Sequence, residues 1–147
     1  MAIHSHTRVS VHMIWSTHKR QNMIEEVMRK KLHGYLKEYC LKARVNYLCS
    51  YVNADHIHIL FDLPPEKSVA DVAKLLKGAS SRWLNRREEQ QIKFSWGRGY
   101  AAFSVSESNV KGVLDYIKNQ KEHHANRSYK EELDLFLLKH KVEVVNR

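Results

Sequence analysis

The stretch Val45-Asn46-Tyr47-Leu48-Cys49-Ser50-Tyr51-Val52-Asn53-Ala54-Asp55-His56-Ile57-His58-Ile59-Leu60-Phe61-Asp62-Leu63 decides the fold. Two runs rich in β-branched and aromatic residues flank the short polar segment Asn53-Ala54-Asp55, the pattern of two strands joined by a tight turn. Pro64-Pro65 stops the second run, since proline has no amide hydrogen to give to a ladder. Side chains alternate across a strand, so His56 and His58 share a face. Two neighbouring imidazoles can hold one divalent cation, although buried or exposed histidines without a metal are commoner.

Outward from this hairpin, Arg8 to Ser16 alternates as a first strand. From Ile24 to about Lys42 the positions Val27, Met28, Leu32, Tyr35, Leu36 and Tyr39 recur at helical spacing. After the hairpin, Ser68 caps a helix carrying Val69, Val72, Leu75, Leu76, Ala79 and Trp83 on one side. Gln90 to Gly99 is a polar, glycine-containing loop, and Tyr100 to Val105 is a fourth strand. A third helix is predicted from about Glu107 to His124, with Val110, Val113, Leu114 and Ile117 as its buried stripe. Ser128-Tyr129-Lys130-Glu131 reads as a capping box opening a last helix, Tyr129 to about His140. The order βαββαβ predicts an α+β, ferredoxin-like or RRM-like antiparallel sheet with helices on one face and an extra C-terminal helix. That plan hosts many activities, so function has to be read from a site.

The 147 residues fit one domain spanning 1–147, and a hydrophobic content of 43% with five glycines and two prolines excludes a disordered or collagen-like chain. Twenty-five Lys and Arg against sixteen acids give a net charge of +9, the usual footprint of a phosphate-rich partner. Cys40 and Cys49 are too few for a disulfide framework and read as reduced, buried thiols. No apolar run approaches a membrane span and Met1-Ala2-Ile3-His4-Ser5-His6 lacks a signal peptide's apolar stretch, so a cytoplasmic protein is expected.

The second feature with chemical potential is Tyr116-Ile117-Lys118-Asn119-Gln120. Tyr116 and Gln120 stand one turn apart on one helix face, away from the Val110/Val113/Leu114/Ile117 stripe. A core tyrosine would sit on the stripe, so this placement suits an active or interfacial hydroxyl; an ordinary surface tyrosine has the same spacing. Gly112, one turn earlier, costs helix stability and gives room for a close approach or a hinge.

Taken together, His56-Ile57-His58, Lys77-Gly78-Ala79-Ser80-Ser81, Trp96-Gly97-Arg98-Gly99-Tyr100 and Tyr116-Ile117-Lys118-Asn119-Gln120 resemble the single-tyrosine transposases of small bacterial insertion sequences, the IS200-like group within the HUH (His-hydrophobic-His) endonucleases. The resemblance runs from about Val9 to Val144. It implies that His56, His58 and Gln120 bind a divalent metal, Mg2+ or Mn2+, and that Tyr116 is the nucleophile. It further implies cleavage and rejoining of single-stranded DNA at insertion-sequence ends through a 5′-phosphotyrosine, with subterminal hairpins recognised. It also implies a homodimer with joined sheets, each tyrosine helix able to serve the partner's histidine pair in trans. Strand Tyr100-Ala101-Ala102-Phe103-Ser104-Val105 has no proline or charge to blunt an edge, which is compatible with such pairing.

The chemistry suits these residues. A phenol with a normal pKa near 10 is a weak nucleophile at neutral pH, and a cation on the phosphate compensates for that. Neutral imidazole and amide ligands leave the cation its full charge. Asp55 adjoins the pair and is placed either to orient a histidine or simply to make the turn. His123 and His124 could supply an alternative ligand or a base, or merely end a cationic helix.

For DNA, the resemblance points to Lys74, Lys77 and Arg82, with Arg86 and Arg87, on the second helix, where a solvated face reads equally well. Arg98, between two glycines, is a better phosphate contact. Of Trp15, Trp83 and Trp96, Trp83 fits the apolar stripe, and Trp96, in the loop, is the one expected to stack on bases. Two rivals stand beside this reading: a domesticated relative that processes chromosomal palindromes, and a non-catalytic ferredoxin-like nucleic-acid-binding module. The second leaves the His56/His58 and Tyr116/Gln120 combination without a purpose. A histidine-triad hydrolase fails because the next alternate position is Leu60.

Overall fold

The computed structural model describes residues 6–120 and 128–140. Four strands, β1 (Ser10–Ser16), β2 (Asn46–Val52), β3 (His56–Asp62) and β4 (Ala101–Val105), form one antiparallel sheet in the order β2-β3-β1-β4. The hairpin closes where the Asn53 amide donates to the His56 carbonyl at 2.8 Å. A shift of register between Tyr47 and Cys49 interrupts the β2–β3 ladder. This is the expected ferredoxin-like plan, with β1 and β3 central.

Both central strands are buried on both faces, which explains why β3 reads as a nearly continuous apolar run around its histidines. One face presents Val11, Met13 and Trp15 of β1 with Ile57, Ile59 and Phe61 of β3. Helices α1 (Glu26–Lys42) and α2 (Val69–Asn85) cover it, and this is the main core. The buried stripe of α1 is Met28, Leu32, Leu36 and Cys40; Val27, expected on it, is 64% exposed. Ser68 makes a full capping box with Asp71 at the start of α2. Trp15 lies wholly inside this core and so is removed from the set of bases-stacking tryptophans.

The opposite face carries His12 and Ile14 of β1 and His56, His58 and Leu60 of β3, all buried. It is covered by α3 (Val110–Lys118) and α4 (Tyr129–Lys139). The two helices of the βαββαβ unit therefore share one face, as expected, and the helices appended to that unit lie on the other. Helix α3 is shorter than its periodicity predicts: residues Glu107–Asn109 form a 3-10 turn before it, and Asn119 caps its end. Its stripe, Val110, Val113, Leu114 and Ile117, packs against Cys49 and Leu60. His123 and His124 lie outside the described residues. Ser128 caps α4 by accepting from the Glu131 amide, but its hydroxyl turns to the Glu131 carboxylate, so only half of the capping box forms. Among the described residues no helix is long and apolar enough to cross a membrane.

Candidate functional site

Strand register builds the site. His56 stands opposite Ser16, and His58 opposite Ile14 on β1 and Tyr51 on β2. Both histidines are fully buried under α3 and α4. The Asp55 carboxylate accepts from His56 Nδ1 at 2.6 Å, so it orients the ring as well as making the turn. That fixes the tautomer and leaves the His56 Nε2 lone pair pointing inward, where Asn53 Nδ2 donates to it at 3.2 Å. His58 Nδ1 lies 2.9 Å from Nε2 of His12, a diagonal neighbour on the same face. The two rings stack at 5.2 Å. With His58 Nδ1 donating in that pair, its Nε2 also presents a lone pair to the interior.

Between these nitrogens stands Glu132 of α4, 2% exposed. Its Oε2 is 3.5 Å from His56 Nε2 and 3.4 Å from His58 Nε2. Its Oε1 accepts from Gln120 Nε2 at 2.8 Å and from the Tyr116 hydroxyl. The Tyr116 ring, half-buried, lies edge-on to His58 at 6.1 Å and to Phe136 at 5.4 Å. Gln120 is fully buried, and its Oε1 has no hydrogen-bond partner among the described residues. One chain thus brings His56, His58, Tyr116 and Gln120 around a single point, with Asp55 behind the pair. Helix α3 ends at Lys118, so Gln120 lies past its Asn119 cap and not, as expected, on one helix face with Tyr116. Tyr116 packs beside the stripe of α3, and both side chains meet Glu132 of α4.

The electrostatics follow from burial. His12 is held well below the ordinary histidine range, first by burial and then by the neighbouring His58. Burial also pulls His56 down, but the Asp55 and Glu132 hydrogen bonds and charges outweigh it, and the net shift is upward. Nε2 of each histidine and a carboxylate oxygen lie within 4.8 Å of one another. These three buried groups are close enough together to hold one metal ion.

Two residues of this centre escaped the sequence. His12 lies in a run read only as an alternating strand. Glu132 sits one turn after Tyr129 and one turn before Phe136, on the apolar face that α4 turns to Ile14 and Phe103. A carboxylate in the middle of an apolar stripe was the available signal. Gly112 is exposed, and a methyl group built there meets nothing within 4 Å, so no close approach demands it. It lines a cleft of about 600 Å³ between α3 and α4 that reaches Tyr116 and Glu132.

The residues expected at DNA lie elsewhere, beside the other helix pair. Lys74, Arg82 and Arg98 are exposed. The Lys77 ammonium is committed to the carbonyls of Gly97 (2.9 Å) and Gly99 (2.8 Å), which holds the Arg98 loop against α2; partial burial lowers its pKa. Trp96 points inward: its indole donates to Ser80 Oγ at 3.0 Å, and its ring meets Trp15 and Phe94 edge-on. Half-buried, it buttresses the loop, because its apolar ring finds the core beneath. Trp83, half-buried, is stacked on Tyr35 at 5.1 Å, with the Arg87 guanidinium 4.4 Å from its ring.

Residues 5–120 match the family described as "Transposase IS200 like". The chain is 32% identical over 126 residues to the transposase for insertion sequence element IS200 of Salmonella typhimurium, covering 80% of this chain and 82% of that one. It is 25% identical over 118 residues to the ISDra2 transposase TnpA of Deinococcus radiodurans, covering 77% and 84%. Two solved structures share the fold. One, described as a transposase of Deinococcus radiodurans, has a TM-score of 0.61 at 24% identity, over 82% of this chain and 96% of that one. The other, a REP-associated tyrosine transposase bound to a REP hairpin, has a TM-score of 0.61 at 11% identity, over 84% and 74%.

Proposed function

Because the chain belongs to the IS200-like transposases, we propose that it cleaves and rejoins single-stranded DNA at insertion-sequence ends with Tyr116 as nucleophile. The observation that carries this reading is the convergence of Tyr116, Gln120 and the His56/His58 pair on one buried point beside an open cleft.

The donor set fits a divalent cation: two imidazole nitrogens and the Glu132 carboxylate within 4.8 Å of one another, and beside them a buried amide oxygen on Gln120 with no hydrogen-bond partner among the described residues. His56, His58 and Gln120 would hold Mg2+ or Mn2+. When bound, the cation acts as a Lewis acid that neutralises charge on the scissile phosphate. The protein's own part is positional. Helix α3 carries Tyr116, and Gln120 follows just past its Asn119 cap, so the nucleophile and an amide ligand come from one short stretch of chain. The Tyr116 oxygen attacks phosphorus, the bond to the 3′ oxygen breaks, and the 5′ phosphate stays on the tyrosine. A phosphotyrosine diester retains the energy of the original bond, so rejoining needs no nucleotide cofactor.

A net charge of +9 suits a DNA partner, and Arg98, Lys74 and Arg82 are the exposed cations for the phosphates of a hairpin stem. The working assembly is a homodimer joined through the sheet edge at β4, with α3 serving the partner's histidine pair during cleavage.

The test is a nicking assay on a single-stranded oligonucleotide carrying the hairpin DNA that flanks the gene. Cleavage is expected with Mg2+ or Mn2+ on single-stranded and not on fully duplex DNA, with a covalent adduct on Tyr116 by mass spectrometry. Tyr116→Phe should lose the adduct and keep hairpin binding. Equal cleavage in excess chelator, or an adduct on Tyr100 or Tyr129, overturns the assignment.

A further inference from the structure

We infer that Glu132 is a catalytic residue: it accepts the proton of the Tyr116 hydroxyl as that oxygen attacks the scissile phosphate. The inference deepens the tyrosine-nucleophile reading above and rests on it.

Glu132 comes from α4, beyond the matched residues 5–120 and on the side of the apolar face that also presents Tyr129, Leu133 and Phe136. A carboxylate this deeply buried is costly unless its oxygens are answered, and its surroundings supply the answer in a particular order. Oε2 is turned to the two imidazole Nε2 atoms, where a cation belongs. Oε1 takes the Tyr116 hydroxyl and one hydrogen of the Gln120 amide. The same carboxylate therefore touches the reacting oxygen on one side and the metal-holding pair on the other. The Gln120 hydrogen bond also turns that amide so that its oxygen stays available. The Tyr116 hydroxyl donates its hydrogen to a Glu132 oxygen. A general base must stand within hydrogen-bond reach of the proton it removes, and Glu132 does so.

An electron pair of the Tyr116 oxygen forms the bond to phosphorus while the hydroxyl proton passes to Glu132 Oε1. The bond from phosphorus to the 3′ oxygen breaks, and that oxygen leaves with the bonding pair. It takes a proton from water, and Glu132 returns its proton to solvent. Run backwards, the carboxylic acid reprotonates the tyrosine as the strands rejoin.

A purely architectural Glu132, one that only pins α4 to the sheet, would be replaced well by glutamine, whose amide oxygen still accepts from Tyr116. Glu132→Gln therefore separates the two roles. The full chain is titrated with Mn2+ in the absence of DNA and followed by electron paramagnetic resonance, so that each variant is then assayed with its metal site filled. Hairpin binding by gel shift reports folding. At saturating Mn2+, Glu132→Gln is expected to bind the hairpin and to form the Tyr116 adduct about 100-fold more slowly or worse. Glu132→Ala should be equally slow and regain about tenfold when acetate is added, since a small carboxylate can take the vacated place. Adduct formation by Glu132→Gln within about threefold of wild type overturns the proposal. So does full recovery by added Mn2+, which would leave Glu132 a ligand only. Should Glu132→Gln fail to bind the hairpin, acetate rescue of Glu132→Ala decides: rescue supports the proposal and its absence overturns it. A wild-type chain that forms no Tyr116 adduct is a different result, which removes the function itself.

Discussion

One imidazole, His12, sets which nitrogen of His58 faces the site, and Asp55 does the same for His56. Partners that orient a ligand typically control metal affinity by about 10–100-fold. We therefore expect His12→Ala and Asp55→Ala each to weaken Mn2+ binding by about tenfold or more in a DNA-free titration. Unchanged affinity in both would show that ring orientation is set by packing alone. The two thiols give a second residue-scale expectation. Burial pushes Cys40 up to about 12 and Cys49 up to about 11. An exposed thiol in the unfolded chain titrates near 8.5. Above that value the unfolded state loses protons that the native state keeps, so stability is full below about pH 8.5 and declines as pH rises toward the folded values. Urea midpoints at pH 7.5 and pH 10 should show the fall. A Cys40→Val/Cys49→Ala protein should show less of it, and an identical slope in both proteins would remove the thiols as its cause.

Gly112 in α3 is the clearest test at the level of one element. Its place in the helix is exposed and a methyl group there touches nothing within 4 Å, so Gly112→Ala should raise stability by about 0.5–1 kcal/mol, read from urea unfolding. A loss instead would mean that the glycine serves a bend or a contact beyond the single chain. At α2, removing the capping box with Ser68→Ala should cost about 1 kcal/mol, checked by the same measurement. These elements also show what could be read from residue order. The hairpin was legible because strand periodicity and a polar turn act locally, and His56 and His58 fall on one face by geometry alone. Tyr116 and Gln120 read as a pair through helical spacing, but α3 stops at Lys118 and the two side chains meet instead at Glu132. What α3 and α4 cover was not, since an amphipathic stripe says that a face is buried but not against which side of a sheet. Glu132 stayed hidden because its role depends on that docking, and His12 because its partner is a neighbour only in the folded ladder. The packing of Trp96 stayed hidden for a related cause: a loop position suggested exposure, while the indole had Ser80 and the Trp15 core to meet.

Across the whole molecule the division of labour is between a sheet and its hairpin turn, which supply His56, His58, His12 and Asp55, and the part of the chain from α3 onward, which supplies Tyr116, Gln120 just past α3, and Glu132 of α4. In the single chain the two halves meet within one chain. If two copies exchange α3 and α4 as a unit, every contact between the halves can be made again across the dimer, so the two arrangements differ mainly at the connection after β4. Among the described residues β4 is an edge strand, without charge or proline, which suits the sheet-to-sheet pairing that would bring the copies together. The proposed trans arrangement has a direct consequence. A chain with His56→Ala and His58→Ala should be inactive alone, as should Tyr116→Phe alone. Mixed under subunit exchange, a heterodimer contains one site with an intact histidine pair from one chain and intact Tyr116, Gln120 and Glu132 from the other. Cleavage should therefore return. In a cis arrangement both sites of that heterodimer carry a defect, and mixing restores nothing. Heterodimers confirmed by native mass spectrometry without recovered cleavage would make the single-chain site the working one, and would leave the roles of Tyr116 and the histidine pair untouched, because each mutant's inactivity alone is required by either arrangement.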